Sequence, residues 1–231
     1  LAVSGDAVFN SAVSLSVTGS LTVSDTAVFT SNNTLTAGST TIANSASASF
    51  NAAASGQTTT LSDLTLSTSG NISTGNDALD TFEVTSGDIV FPAGIGTVST
   101  GGTITASSGS IQIGKDITLS AQTTFSQSVV LAAGADITLS GNAEFNSTVT
   151  GSSSGLSITG NAVFGDGTGT DTVSGITNLE VTGTTTINTA EITTTGTQIY
   201  TGGVTLSETT ALTAYGAGTA QNINILNSLT G

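Results

Sequence analysis

The side chains that could do chemistry in this 231-residue chain are few, and nearly all are acids: 15 Asp and Glu stand against one base, Lys115, with no His and no Cys. Asp77, Asp80, Glu83 and Asp88 form the one dense group. Glycoside hydrolysis needs two or three carboxylates held about 5–10 Å apart, and this is the group that could attempt it. No Trp accompanies it to stack on a sugar ring. A polysaccharide lyase would need a strong base beside the acidic sugar, and only Lys115 is on offer. Acids in a polar stretch ordinarily serve solubility. The cluster therefore reads as a solvated loop, and no catalytic residue is assigned.

A second candidate is Gly165-Asp166-Gly-Thr-Gly169-Thr-Asp171. It has the outline of the Gly-Gly-x-Gly-x-Asp turns that share calcium between consecutive repeats in β-rolls. Here it occurs once and lacks the second glycine, and a Gly/Asp corner is also ordinary turn chemistry. Asp166 and Asp171 are thus the calcium candidates, with Asp77, Asp80, Glu83 and Asp88 as a second group. No other cofactor is expected, since no Cys/His set exists for a transition metal.

The formal charge of −14 sets limits on partners. Nucleic-acid grooves and anionic membranes both demand Lys or Arg to meet phosphate, so neither partner is expected. Mutual repulsion instead keeps like-charged particles dispersed. No run approaches the ~18 apolar residues of a spanning helix. With no Trp and two Tyr, the aromatic girdles of a membrane barrel are missing as well. Membrane insertion is not expected.

The elements that would position these groups follow from a repeat. Phe9, Phe29 and Phe50 form one evenly spaced set, and Phe125, Phe145 and Phe164 form another. Each closes a similar phrase, such as Gly-Asp-Ala-Val-Phe9 or Gly-Asn-Ala-Glu-Phe145. Tyr200 stands close to two further periods beyond Phe164. The common period, about 20 residues, suits one turn of a solenoid, which buries its apolar face only by stacking on its neighbours.

Within a period the alternation is that of strands. Ile117-Thr-Leu119, Thr-Thr-Phe125 and Val129-Val-Leu131 follow one another, separated by small polar residues. Period-two alternation sends Ile, Leu, Val and Phe inward and Thr or Ser outward. Thr is polar yet β-branched, so it tolerates an exposed strand face. Gly, Asn, Asp and Ser at the corners bond their own turns. Helix is disfavoured, because 80 Ser and Thr with 29 Gly carry poor helical propensity.

The expected fold is therefore all-β: a parallel β-helix, or β-solenoid, of 11–12 turns of about 20 residues with three short strands per turn. One domain is expected over residues 1–231, with an irregular enlarged loop at about 73–110 and an end turn or cap at 216–231. Leu1 opens mid-pattern, which implies a processed product or an excised fragment.

Two phrases resemble a known family. Thr195-Gly-Thr-Gln-Ile-Tyr200-Thr-Gly-Gly-Val-Thr-Leu206-Ser-Glu-Thr-Thr-Ala-Leu212-Thr is similar to the recurring Gly-x-Gln-x-Tyr-x-Gly-x-Val-x-Leu units of large secreted bacterial adhesins of the filamentous haemagglutinin type and related autotransporter passengers. Ser120-Ala-Gln-Thr-Thr-Phe125-Ser-Gln-Ser-Val-Val-Leu131 is a looser copy. The resemblance implies a right-handed parallel β-helix at a bacterial surface. The Asn-Pro motifs of the secretion domain in such proteins are absent from this sequence.

The leading functional expectation is structural: a building block of an extracellular fibre, filament or adhesin stalk, not an enzyme, whose copies associate end to end as a homo-oligomer. The alternative is a module that binds surface glycans. A polysaccharide-active enzyme and an ice-binding protein stand behind these. Ice-binding solenoids carry Thr-x-Thr in constant phase, whereas Thr34/Thr36, Thr148/Thr150, Thr168/Thr170 and Thr184/Thr186 follow one another at unequal intervals.

Overall fold

The computed structural model describes residues 2–9, 14–16, 20–23, 27–29, 33–36, 39–44, 48–49, 58–61, 64–68, 72–73, 81–84, 89–91, 98–99, 102–106, 109–119, 122–168 and 170–231. They form a β-solenoid. No helix occurs among the described residues, so none is present that could cross a membrane. Strands recur in sets of three, and most pair in parallel with a counterpart in an adjacent turn, giving a coil with three β-faces.

The third face is the longest continuous ladder. Eleven strands follow in order: Ser14–Ser16, Asn33–Thr36, Thr58–Leu61, Thr81–Val84, Gly102–Ala106, Thr123–Phe125, Ala143–Phe145, Ala162–Phe164, Thr185–Ile187, Val204–Leu206 and Leu229–Thr230. The last six lie in the almost unbroken stretch from residue 122 onward and make about six turns. Thr123, Ala143, Ala162, Thr185, Val204 and Leu229 are paired in series. The turns from Ala162 to Thr185 and from Val204 to Leu229 are longer than the other three. Strands keep the repeat, and the corners absorb the excess.

Alternation decides what is buried. Ile117 and Leu119, Ile137 and Leu139, Leu156 and Ile158, Leu179 and Val181 are inward pairs of the second face, each at most 4% exposed. On the third face the inward pairs are Thr123/Phe125, Ala143/Phe145, Ala162/Phe164 and Thr185/Ile187. Beside each Phe stands a small or short residue. When Ile187 replaces the ring, Thr185 replaces Ala162 in the next column. At that step the gain at one position offsets the loss at the other, as dense packing requires.

The rings of Phe125, Phe145 and Phe164 stack along the axis. Their centroids are 4.9 and 5.5 Å apart and their planes are inclined by 12° and 7°. The spacing is close to the ~4.8 Å between hydrogen-bonded strands, so the backbone ladder sets the aromatic separation. Phe9 and Phe29 are also partners in register, but in a different sheet: they belong to the second face, with Ala48–Ser49, Ile72–Ser73 and Val98–Ser99. Tyr200 is likewise on the second face, paired with Val181 and Ile225. The aromatic phrase therefore occupies two faces. Phe50 lies outside the described residues.

Corners are stitched by side-chain oxygens that accept the N–H of the next turn. Asp116 Oδ1 takes Asp136 N–H at 2.9 Å, and Asp136 Oδ1 takes Gly155 N–H. Higher on the same corner, Asn178 Oδ1 takes Thr197 N–H at 2.9 Å. Asn142 and Asn161 do the same at the next corner, for Asn161 and Thr184. A corner N–H that cannot reach a strand partner is thus satisfied. At Gly160, Gly183 and Gly202 a Cβ would collide with the carbonyl of the glycine one turn below, at positions 141, 160 and 183. Close backbone approach is why these corners read Ser-Gly or Thr-Gly.

Candidate functional site

Asp77, Asp80 and Asp88 lie outside the described residues. Glu83 stands on Thr81–Val84, half-buried and in register with Thr60 and Thr105 on the adjacent turns. Thr60 Oγ1 donates to its Oε2 at 3.4 Å. That places Glu83 in an outward row of hydroxyls.

Asp166 sits at the corner that lengthens its turn, between Ala162 and Thr185. Its Oδ1 accepts the Thr168 hydroxyl at 2.7 Å and the Thr168 N–H at 2.8 Å. The hydroxyl and then the backbone donor hold this carboxyl below the ordinary aspartate range, because both stabilise its charged form. One oxygen of Asp166 is thereby engaged within its own turn. Asp171 is half-buried, and its backbone carbonyl accepts Ala190 N–H at 3.0 Å. Among the described residues, no three acids converge as a shared cation site would require.

The densest polar arrangement is buried and uncharged. Gln198 and Tyr200 are inward residues of the second face, both 0% exposed. Gln198 Nε2 donates to Thr213 O at 2.8 Å and Ile192 O at 3.2 Å, with Thr194 Oγ1 at 3.4 Å. Tyr200 Oη donates to Gln198 Oε1 at 3.0 Å. The amide so bridges the core between two faces and two turns with both its ends satisfied. Burial pushes the Tyr200 phenol well above its ordinary pKa. This network is built from the Thr-Gln198-Ile-Tyr200 phrase, and it gives that phrase a structural role: specifying register through a fully satisfied polar group.

Two surface features were not legible from a fixed repeat. Outward positions of the third face align as Thr58, Thr81, Thr103 and Thr124, then Glu144 and Val163, then Thr186, Thr205 and Thr230. Their hydroxyls bond along the axis, as Thr124 Oγ1 does to Glu144 Oε2 at 3.4 Å and Thr205 with Thr230 at 3.3 Å. Unequal turn lengths conceal this row from simple period counting. On the second face a shallow cleft of about 140 Å3 is lined by Asp136, Thr138, Ser157, Asn178 and Glu180 among others. The Oδ1 atoms of Asp136 and Asn178 are committed to the corner ladder.

The turn over 211–230 differs in kind. Its second- and third-face strands, Ile223–Ile225 and Leu229–Thr230, pair with Gln198–Tyr200 and Val204–Leu206 on one side only. Ile223, Leu226 and Leu229 are 37%, 66% and 53% exposed. Comparison with protein-family models, curated proteins and solved structures found no match to this chain.

Proposed function

We propose that this chain is a structural building block of an extracellular fibre or adhesin stalk, without catalytic activity, whose copies associate end to end. The observation that carries the reading is the solenoid itself: parallel ladders that repeat turn upon turn around one buried column, so that any turn stacks on a like one. A second copy stacked in register would continue the ladders at the ordinary ~4.8 Å spacing. Each bond is modest in net worth, but an unmade one is expensive once buried. Polar Ser/Thr walls and a charge of −14 per copy favour axial over lateral contact. An extracellular setting is supported by the adhesin-like phrases at 195–213 and 120–131.

Sedimentation across a concentration series, with electron microscopy of the same samples, tests this. Lengthening rods of constant width are expected, and with Lys115 as the one tryptic site they should survive native trypsin treatment. A monomer that persists at the highest concentration would refute end-to-end association. The glycan-binding alternative is favoured by the cleft around Ser157 and Glu180. Binding on a glycan array that Glu180→Gln abolishes would establish it instead.

A further inference from the structure

We propose that Asp166-Gly167 is the bond at which this backbone rearranges to isoaspartate, at a rate that Thr168 restrains. The reaction needs no partner but water. The Gly167 amide nitrogen attacks Asp166 Cγ, an N–C bond forms, and the carboxyl OH leaves with the amide proton as water. Water then opens the five-membered imide at the main-chain carbonyl carbon of Asp166. The chain afterwards runs through Cγ, one methylene longer, and the former main-chain carboxyl becomes the side chain. The water lost is regained, so mass is unchanged and nothing is oxidised.

Attack requires an amide nitrogen that is neither crowded nor bonded elsewhere. Asp-Gly occurs once in the sequence and Asn-Gly does not occur. Asp166, Gly167 and Thr168 are exposed, in the corner that lengthens the turn from Ala162 to Thr185. Gly167 has a φ of 76°, and a Cβ there would meet Asn188 Cβ alone, at 4.0 Å. The space around the bond is therefore open. Among the described residues the Gly167 N–H meets no acceptor. An amide outside the ladders breaks no hydrogen bond before it attacks, and the segment that carries it opens at low cost.

The other described aspartates are closed to this chemistry. Asp116 and Asp136 precede Ile117 and Ile137, both buried, and the branched Cβ crowds the nitrogen. Ile117 N–H is bonded to Asp136 O at 2.9 Å, and the Oδ1 of each aspartate accepts an N–H from the next turn. Asp171 precedes Thr172, whose N–H reaches Thr148 Oγ1 at 3.4 Å. Asp6 precedes Ala7, buried at the start of its strand.

Thr168 acts on the electrophile. Its hydroxyl and its N–H both donate to Asp166 Oδ1, at 2.7 and 2.8 Å. These bonds tie the carboxyl to residue 168 and favour its charged form. A carboxylate has no OH to release, so both bonds slow ring closure. The corner also accommodates the product. Gly165 N–H donates to Phe145 O at 2.7 Å and Thr172 N–H to Thr148 Oγ1, and the added methylene falls between these two anchors. The strands at 162–164 and 172–181 keep their register, which confines the change to the corner.

The test incubates the folded wild-type chain, Thr168→Ala and Thr168→Ser at neutral pH in heavy-oxygen water, with circular dichroism to confirm that each stays folded. Peptides are then separated by chromatography and sequenced by mass spectrometry. Isoaspartate carrying one heavy oxygen is expected at position 166, with Asp116, Asp136 and Asp171 unchanged. Thr168→Ala should rearrange about three- to tenfold faster, for one lost hydrogen bond to the carboxylate. Thr168→Ser keeps the hydroxyl and should return the rate to that of the wild type. Absence of isoaspartate at 166 from all three proteins, or equal rearrangement at the other aspartates, would overturn the site. The wild-type measurement alone suffices for that arm if a variant fails to fold. Equal rates in Thr168→Ala and the wild type, or a Ser variant as fast as the Ala variant, would overturn the restraint by the hydroxyl.

Discussion

Replacing Phe145 by Ala removes the middle ring of the buried stack. Phe145 is 1% exposed, between Phe125 at 4.9 Å and Phe164 at 5.5 Å. Phe→Ala at a buried site costs about 3–5 kcal/mol, the spread reflecting how far the site can collapse. Collapse is restricted here. Asn146 N–H donates to Phe125 O at 2.9 Å, and Gly165 N–H to Phe145 O at 2.7 Å, so the strand is held from both sides. The neighbouring inward residues, Ala143 and Ala162, are too short to fill the space. Two stacked pairs, each worth about 0.5–1.5 kcal/mol beyond area, are lost together. A loss near the upper end, about 4–5 kcal/mol, is therefore expected. The measurement is denaturant unfolding followed by circular dichroism, with hydrogen exchange on 123–125 and 162–164, because a solenoid transmits a defect to its nearest neighbours. A cycle with Phe125→Ala should give a coupling of about 0.5–1.5 kcal/mol. A cost below about 2 kcal/mol, or no coupling between the two rings, would refute the stacked-column account.

Three further outcomes are expected. Thr185 Oγ1 is buried without a hydrogen-bond partner, so Thr185→Val, of similar shape, should raise stability by up to about 1 kcal/mol in the same unfolding assay, whereas a loss would show that the hydroxyl is satisfied. Because burial raises the Tyr200 pKa in the folded state, its contribution is whole below the unfolded tyrosine value and is lost as pH rises through the folded one. In an alkaline unfolding series Tyr200→Phe should flatten that fall while costing about 1–3 kcal/mol at neutral pH for the stranded Gln198 Oε1; an unchanged alkaline limb would count against it. The Asp166 carboxyl, held low by the Thr168 hydroxyl and backbone, contributes above the unfolded aspartate pKa, and the contribution is lost as pH falls through the folded one. Carboxyl titration by NMR should find it below the ordinary range and partly restored by Thr168→Ala, and an ordinary value in the wild type would contradict the hydrogen bonds described.

Much of the architecture is local, and so the sequence alone determined it. Ile117-Thr-Leu119 or Ala143-Glu-Phe145 can bury one face only as a strand, and a phrase that returns once per turn can pair only with its own copies. The stack of Phe125, Phe145 and Phe164 follows from those two facts. What the tertiary structure decided is everything that depends on which face a phrase joins and how long each corner is. Ala-x-Phe suits any of three chemically similar faces, so nothing local distinguishes Phe9 and Phe29, on the second, from Phe145 and Phe164 on the third. The threonine row runs through turns of unequal length, and its alignment exists only once the ladders are formed. Of the candidate acids, the short contact between Asp166 and Thr168 is an ordinary local turn, but the pairing of Glu83 with Thr60 needs a neighbour from the adjacent turn. The antiparallel return of Thr219–Ala220 onto Tyr215 and Gly216 is marked in sequence only by Gly216-Ala-Gly218, and a side chain at 216 is excluded by the Thr195 carbonyl of the turn before, which no single turn of the chain contains.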